Sequence, residues 1–453
     1  MRHFDLAVIG TGSGNSVIGP EFDDWNVAIV ERGLFGGTCL NVGCIPTKMF
    51  VYAAEVASTV RHASRYGIDA TVDKVRWADI RDRIFGRIDP IAAGGERYRR
   101  YDNPNVTVYK GQCRFVGQKR LDTGAGETIT ADRFVIAAGG RPFIPPEVTV
   151  SDARYYTSDT VMRLDALPQR MVILGGGYIA SEFAHVFSAL GVQVSVVARG
   201  SALLRRHDET ISRRFTEVAR QQWDVHLGQT PSKIEAVGSE VVLTLPDGVR
   251  VAGDELLVAV GRVPNADLLD LAATGVTTTL DGRVVVDRYQ RTEVDGILAL
   301  GDVSSPNWLK HVANHEARVV RHNLRHPDQP VPSDHRFVPS AVFTDPQIAS
   351  VGLTEAQCRL QELDYAAAVQ EYADVAYGWA MEDTTGFCKV LAERRTGRLL
   401  GAHVMGRQAS TVIQPLIQAM SFGLDADEMA TGQYWIHPAL PEVVENALLK
   451  LDP

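Results

Sequence analysis

Cysteine is scarce in this sequence, with five residues among 453. So few cysteines exclude a disulfide-bonded framework of the kind that stabilises small secreted domains. An excess of positive charge is also missing, because the formal net charge is −9 at pH 7. Nothing in that balance would attract nucleic acid or an anionic membrane. Apolar runs long enough to cross a bilayer are absent as well. The remaining composition is ordinary for a soluble enzyme.

The length of the chain predicts two to four domains, since a single hydrophobic core rarely extends over so many residues. Its first residues run directly into an apolar strand and a glycine-rich loop, which leaves no room for a signal peptide. We therefore expect a cytoplasmic protein. Glycine, in contrast to cysteine, is plentiful at 40 residues. This indicates several tight turns and places where the backbone approaches a ligand closely.

Two parts of the sequence resemble each other, residues 4–15 and residues 170–181. Each consists of an apolar strand that runs into glycines, and each is followed by a second apolar strand, ending at Glu31 and Arg199 respectively. A strand, a glycine turn, a helix and a strand form a βαβ unit, which requires a parallel sheet. The repeat therefore predicts an α/β fold with two Rossmann-like nucleotide-binding domains.

The first glycine loop contains Gly10, Gly12 and Gly14. Such glycines permit a tight turn, let backbone N–H groups reach a pyrophosphate, and precede a helix whose N-terminus favours negative charge. Glu31 follows Gly10 by 21 residues, where a carboxylate would accept hydrogen bonds from an adenosine ribose and reject a 2′-phosphate. Asn15 stands where a third glycine is usual. This loop predicts FAD or NAD rather than NADP.

The second loop has the fingerprint residues Gly175, Gly177 and Ala180. When the second strands of the two units are aligned, Ala198 falls opposite Glu31, so the carboxylate that would bind a free ribose is missing. Three arginines follow, Arg199, Arg205 and Arg206. Guanidinium groups bind phosphate through paired hydrogen bonds. The pattern predicts NADPH, and the alternative interpretation is a solvated basic loop.

The segment GGTCLNVGCIPTK places Cys39 and Cys44 close together after the first βαβ unit. A thiol near a helix N-terminus has a lowered pKa and becomes a nucleophile or an electron donor. Lys48 lies one helical turn beyond Cys44, on the same face, where its ammonium would stabilise a thiolate or a reduced flavin. A zinc site would need two further ligands at short spacing, and none follow. We therefore predict a redox site and no metal.

These patterns predict four segments: residues 1–147 form the first part of an FAD-binding domain and carry the cysteine pair, residues 148–265 bind NADPH, residues 266–335 complete the FAD domain, and residues 336–453 form an α+β dimerisation domain. Residues 75–100 have the spacing of an amphipathic helix. At about residue 339, the sequence pattern changes from βαβ units to alternating strands followed by helices.

The cysteine motif and the two glycine loops resemble those of the pyridine nucleotide–disulfide oxidoreductases, and the resemblance covers essentially the whole chain. It implies an FAD- and NADPH-dependent reductase that works through a Cys39–Cys44 disulfide. By this resemblance, Cys39 attacks the substrate, Cys44 faces the flavin, and Lys48 lies beside flavin N5.

The same resemblance assigns further residues. Tyr178 covers the nicotinamide pocket, Glu182 is the partner of Lys48, and Asp302, in the motif GILALGD, binds the ribityl chain. The motif WIHPALPE implies that His437 and Glu442 form an acid–base pair, and that His437 enters the partner subunit's site in a homodimer. A histidine is suited to this role because it titrates near neutrality. We also expect four backbone positions at the nucleotides, namely Gly37, Thr38, Gly139 and Gly261.

The substrate is expected to be a small disulfide without carboxylates. Residues 16–25, where glutathione reductases place arginines, contain Glu21, Asp23 and Asp24 instead, and these acids would repel a carboxylate. Several long runs resemble the mycothione reductase branch of the family, which implies mycothione. Glutathione disulfide, trypanothione and lipoamide are the alternatives within the family. A flavin-binding protein that turns over no disulfide is an alternative of a different class.

Overall fold

The computed structural model describes residues 1–451. The strands, in chain order, are β1 (Arg2–Ile9), β2 (Val27–Glu31), β3 (Val106–Lys110), β4 (Arg114–Gly117), β5 (Arg120–Asp122), β6 (Thr128–Ile136), β7 (Gly140–Pro142), β8 (Tyr155–Tyr156), β9 (Arg170–Leu174), β10 (Gln193–Ala198), β11 (Asp224–Leu227), β12 (Lys233–Val237), β13 (Glu240–Thr244), β14 (Arg250–Gly253), β15 (Glu255–Val258), β16 (Arg262–Pro264), β17 (Ile297–Ala299), β18 (Ser340–Val342), β19 (Gln347–Gly352), β20 (Tyr365–Glu371), β21 (Phe387–Glu393) and β22 (Leu399–Gly406).

The α-helices are α1 (Gly37–Asn41), α2 (Cys44–Arg61), α3 (Trp77–Arg97), α4 (Pro146–Thr149), α5 (Tyr178–Ala189), α6 (Glu209–Gln222), α7 (Lys310–Arg325), α8 (Glu355–Leu360), α9 (Ala376–Ala380), α10 (Ala409–Val412), α11 (Gln414–Phe422), α12 (Ala426–Thr431) and α13 (Glu442–Leu449). Helix α3 is the amphipathic helix predicted over residues 75–100. Among the described residues, no helix is both long and apolar enough to cross a membrane.

The first sheet has seven strands, in the order β3-β2-β1-β6-β5-β4, with β17 also paired to β6. Strands β1, β2, β3, β6 and β17 run parallel. Strand β1 lies at the centre, and its residues Leu6, Ala7 and Val8 are completely buried, as expected for a parallel strand covered on both faces. The carboxyl ends of β1 and β2 present Gly10 and Glu31 at the same edge, where α/β sheets bind their ligands.

The second sheet has the order β11-β10-β9-β15-β8 and is parallel throughout. Strand β9 leads through the second glycine loop into α5, which packs on this sheet. The last sheet, β18-β19-β22-β21-β20, is antiparallel, and its buried residues share a core with α10 to α13. The predicted fold class, an α/β fold with two Rossmann-like domains followed by an α+β module, is confirmed.

The prediction of an α-helix directly after the first glycine loop is wrong. The structure has two short 3₁₀ helices there, Gly14–Val17 and Pro20–Phe22. Pro20 has no N–H to continue a helix. In addition, the buried guanidinium of Arg99 donates to the carbonyl oxygens of Asn15 (3.0 Å) and Ile18 (2.9 Å), and an α-helix would need these same oxygens. Sequence alignment of the two glycine loops could not reveal this competition, because Arg99 lies far along the chain.

Candidate active site

A large cavity of about 960 Å³ opens at the carboxyl edge of the first sheet. Twelve of the residues predicted to bind or react line it: Gly10, Gly12, Glu31, Gly37, Thr38, Cys39, Cys44, Lys48, Gly139, Tyr178, Glu182 and Asp302. The cavity therefore collects the first glycine loop, the cysteine motif and the start of α5 into one space.

The glycines of the cavity wall are required by close contacts between backbone segments. Gly10 has a φ of 98°, and a Cβ there would lie 2.3 Å from the carbonyl oxygen of Ala137. Gly37 has a φ of 66°, and its Cβ would lie 2.6 Å from the Cα of Gly12. Side chains at these positions would clash with the neighbouring backbone. Bare backbone is what a pyrophosphate needs if it is to approach main-chain N–H groups.

Glu31 is held at the end of β2 by three donors. Its carboxylate accepts hydrogen bonds from the backbone N–H of Thr11 (2.9 Å), the hydroxyl of Thr11 (2.7 Å) and the backbone N–H of Gly33 (2.7 Å). A carboxylate oxygen can accept more than one hydrogen bond, so this oriented group still has lone pairs for ribose hydroxyls. Together with the glycine cradle, it fits the adenosine diphosphate half of FAD.

Cys39 lies in α1, and Cys44 is the first residue of α2. Both are free thiols. The hydrogen bond from Cys39 and the charge of Lys48 together lower the pKa of Cys44 to about 7, against the opposing effect of burial. The same hydrogen bond, with burial, raises the pKa of Cys39. The reduced pair therefore shares one negative charge near neutrality, and Cys44 carries it.

Lys48 forms a bidentate ion pair with Glu182, at 2.7 and 2.6 Å from its two carboxylate oxygens. The Glu182 side chain is only 4% exposed, and it also accepts the backbone N–H of Phe343 (3.0 Å). The ammonium lies 4.7 Å from the centre of the Phe343 ring. Because Glu182 comes from α5, the pair joins the second nucleotide-binding sheet to the cysteine helix and fixes the ammonium at the cavity wall.

The glycines of the second loop, Gly175 and Gly177, do not line the cavity. Gly175 has a φ of 138°, and its Cβ would lie 2.3 Å from the carbonyl oxygen of Ala259. Ala198 ends β10, as Glu31 ends β2. Arg199 and Arg205 are exposed, and neither has an ion pair or hydrogen bond within residues 1–451. Their guanidinium groups are thus available to an external phosphate. Two other predicted residues, Gly14 and Gly261, also do not line the cavity.

His437 and Glu442 form a pair near the C-terminus. The imidazole Nδ1 lies 2.6 Å from Glu442 Oε1, and Glu442 Oε2 accepts the backbone N–H of Ala439 (3.2 Å). The His437 side chain is 71% exposed and does not line the cavity of its own subunit. The carboxylate fixes the ring while leaving Nε2 free to act on another molecule.

The sequence places this architecture in a known family. Residues 4–318 match the pyridine nucleotide-disulphide oxidoreductases, and residues 338–448 match the dimerisation domain of the same group. The chain belongs to this family. Mycothione reductase from Mycobacterium tuberculosis (strain H37Rv) is 60% identical over 100% of both chains. Glutathione reductase from Burkholderia cepacia is 33% identical over 97% of both chains.

A solved structure agrees with the family assignment. The HOCl-induced flavoprotein disulfide reductase RclA from Escherichia coli superposes with a TM-score of 0.87 at 27% identity, over 98% of this chain and 99% of that one. The dimerisation domain of this oxidoreductase contains the exposed His437, which is consistent with the homodimer expected from the sequence.

Sequence reasoning about this oxidoreductase missed two residues of the cavity. Lys310 donates to the hydroxyl of Ser13 (2.8 Å), and its charge opposes the rise in the pKa of Cys39. Asn41 donates to the carbonyl oxygens of Phe35 and Gly37 at 2.8 and 3.0 Å, which holds the cysteine loop closed. Asn41 stands inside the cysteine motif and could have been noticed there, whereas no motif singles out Lys310.

The acidic residues between positions 16 and 25 are mostly paired with arginines of α7. Glu21 is paired with Arg321, and Asp24 lies 3.1 Å from Arg325, so two of the three acids are neutralised by α7. None of these acids lines the cavity. The sequence could not show this, because the arginines follow about 300 residues later. These acids therefore do not select against a substrate with carboxylates, contrary to the prediction from the sequence.

Proposed function

We propose that the protein is an FAD-dependent reductase that uses NADPH to convert mycothione to mycothiol through Cys39 and Cys44. The disulfide reductase activity is supported above all by the Cys39–Cys44 pair, whose single negative charge is stabilised beside Lys48. Mycothione as substrate is supported by the full-length identity of 60% to a mycothione reductase. The reaction consumes NADPH, a proton and one disulfide, and it yields NADP⁺ and two thiols.

FAD is proposed to bind with its adenosine end at Glu31 and the first glycine loop and with its ribityl chain near Asp302. When bound, it would pass electrons from NADPH to the cysteine pair. The cysteine S–S bond then breaks, leaving a thiol and a thiolate, and the chain's own residues decide where the charge goes. The hydrogen bond from Cys39 and the ammonium of Lys48 favour the thiolate at Cys44.

The second half of the reaction is proposed to begin at Cys39. Cys39 is proposed to give its proton to the imidazole of His437 of the partner subunit. The resulting thiolate attacks one sulfur of mycothione, which breaks the substrate S–S bond, forms a mixed disulfide and releases the first thiolate. Cys44 then attacks Cys39, which re-forms the internal disulfide and releases the second thiol. His437 of the partner subunit is proposed to protonate the leaving thiolate, because a thiol leaves more easily than a thiolate and imidazole titrates near neutrality. Glu442 is proposed to orient that imidazole through its hydrogen bond to Nδ1.

NADPH is proposed to bind at the second glycine loop, with Tyr178 over the nicotinamide and with Arg199 and Arg205 on the 2′-phosphate. The absence of a carboxylate at Ala198 supports this choice over NADH. We also propose a cytoplasmic location, because free thiols and NADPH-linked reduction belong to a reducing compartment.

NADPH oxidation measured side by side with mycothione, glutathione disulfide and lipoamide tests the proposed substrate. We expect the highest kcat/KM with mycothione. A higher value with glutathione disulfide or lipoamide would assign the protein to a different member of the family. No turnover with any disulfide, in protein that retains FAD, would favour the alternative of a flavin-binding protein without reductase activity.

A further inference from the structure

A buried cluster of charges joins α6 of the NADPH sheet to the dimerisation domain. Lys389, on β21, is 3% exposed, and Asp208, which precedes α6, is completely buried. The Lys389 ammonium lies 2.8 Å from Asp208 Oδ1 and 2.6 Å from Glu355 Oε2, and it donates to the hydroxyl of Thr210 (3.1 Å). Charges without water are costly unless they are paired and hydrogen-bonded, and this cluster satisfies both conditions.

Asp208 is fixed by more than the ammonium. Its Oδ1 caps α6 by accepting the backbone N–H of Thr210 (3.0 Å), and its Oδ2 accepts the backbone N–H of Glu355 (2.9 Å). The paired Lys389 lowers its pKa to about 2, against the effect of burial. The carboxylate thus stays charged at neutral pH, and both of its oxygens are engaged by the dimerisation domain.

The loop immediately before Asp208 carries Arg205 and Arg206. At its other end, the backbone N–H of Leu204 donates to the carbonyl oxygen of Gly176, within the second glycine loop (2.8 Å). Leu204 has a φ of 53°, an unfavourable conformation for a residue with a side chain. A loop with such a residue keeps its shape only where the surroundings hold it. Between its two anchors, the exposed Arg205 and Arg206 have no partner among residues 1–451.

We propose that Lys389 is a positioning residue for nucleotide selection: by pairing with Asp208, it fixes the loop that presents Arg205 to the 2′-phosphate of NADPH. This rests on the proposed function of Arg199 and Arg205. It also makes a residue of the dimerisation domain part of the apparatus that distinguishes NADPH from NADH. Glu355 supports the same arrangement, since its Oε2 also accepts a hydrogen bond from Lys389.

The structure supplies a matched control. Arg214, on α6, forms a bidentate ion pair with Glu371 of β20, with both contacts at 2.7 Å. This pair joins the same two parts of the molecule but lies about two helical turns beyond the loop. Removing the Arg214 pair weakens only the contact between the two domains. Removing the Lys389 pair weakens that contact and also releases the loop that carries Arg205.

The test uses the FAD-loaded dimer of wild type, Lys389→Met, Glu355→Gln and Arg214→Met. Adenosine 2′,5′-bisphosphate and adenosine 5′-monophosphate serve as competitive inhibitors that differ in the 2′-phosphate. In Lys389→Met, we expect the inhibition constant of the bisphosphate and the KM for NADPH each to rise by about tenfold. Inhibition by the monophosphate, the KM for NADH and kcat should stay unchanged. Glu355→Gln should show a smaller shift of the same kind, and Arg214→Met none.

The inference is overturned if Lys389→Met weakens both inhibitors equally, if it weakens neither, or if Arg214→Met gives the same selective loss. If Lys389→Met does not fold, Asp208→Asn replaces it, because an amide retains an oxygen to cap α6 but removes the ion pair. Replacing both Arg199 and Arg205 separates the two claims. If that variant also leaves bisphosphate inhibition unchanged, the NADPH assignment itself fails, and the positioning role fails with it. If the double arginine variant is inhibited less by the bisphosphate and the Lys389 variant is not, only the positioning role is lost.

Discussion

Cys44 is the residue at which the chemistry of this site is most directly determined by its neighbours. A hydrogen bond from Cys39 and the nearby charge of Lys48 lower its pKa to about 7, compared with about 8.5 for a free thiol. The group is therefore mostly thiolate above pH 7 and becomes a thiol below it.

We predict that the ultraviolet thiolate absorbance of the reduced enzyme rises with a midpoint near pH 7. In Lys48→Gln, the midpoint should move upward, because the neutral side chain no longer stabilises the thiolate. Cys113→Ser is the matched control: burial raises the pKa of Cys113 to about 12, so this substitution should not move the midpoint. A midpoint that is identical in wild type and Lys48→Gln would contradict the role given to Lys48.

His437 is the second residue whose role is open to a direct test. General acid catalysis typically contributes a factor of 10² to 10⁴, so His437→Ala should lower kcat by roughly that factor. Reduction of the flavin by NADPH should be nearly unaffected, because no thiolate leaves in that half-reaction. Glu442→Ala should give a smaller loss of the same kind. Rapid-mixing absorbance separates the two half-reactions, and an equal slowing of both would mean that His437 acts structurally.

At the scale of secondary-structure elements, the sequence predicted most of what positions the site. The alternation of strands and glycine loops predicted both parallel sheets, and the amphipathic spacing predicted α3. The helix expected after Gly14 was wrong, since Arg99 occupies carbonyl oxygens that the helix needed. Lys310 and Arg321 were missed for a related reason. Their contacts join residues about 300 positions apart, and short-range patterns do not report such contacts.

The loop after β10 gives the prediction that belongs to this scale. Replacing both Arg199 and Arg205 by methionine should raise the KM for NADPH far more than the KM for NADH. Each lost charge-assisted hydrogen bond contributes about 1.5–3 kcal/mol, and NADH lacks the phosphate that would accept it. Arg213→Met is a suitable control, because Arg213 lies on α6 and is paired with Glu217. Equal changes in both KM values would defeat the assignment.

For the whole molecule, the proposed role of His437 implies that one subunit does not contain a complete site. The cysteine pair lines the cavity, whereas His437 is exposed on the dimerisation domain and outside it. In a symmetric dimer, each subunit can supply the residue that the other lacks. Within the dimerisation domain, β21 is buried in the domain's own core, whereas the His437 side chain is exposed.

Mixing two inactive variants tests this arrangement. A mixed dimer, in which one subunit carries Cys39→Ser and the other carries His437→Ala, contains one complete site and one doubly defective site. After the subunits are exchanged at equal amounts, half of the dimers are mixed, so about a quarter of the wild-type activity should return. Each variant alone, treated in the same way, is the control. No recovery in a mixture shown to contain mixed dimers would mean that both residues serve the same subunit.

The central claim is that electrons pass through Cys39 and Cys44 to a small disulfide, and thiol labelling followed by peptide mass spectrometry tests it most directly. In air-oxidised enzyme, we predict that neither Cys39 nor Cys44 takes up an alkylating label. After anaerobic addition of NADPH, both should become reactive, and one equivalent of mycothione should remove that reactivity again. Cys358 and Cys388, both buried, should not change in native protein. Labelling of Cys39 and Cys44 that is the same before NADPH, after NADPH and after mycothione would contradict the account.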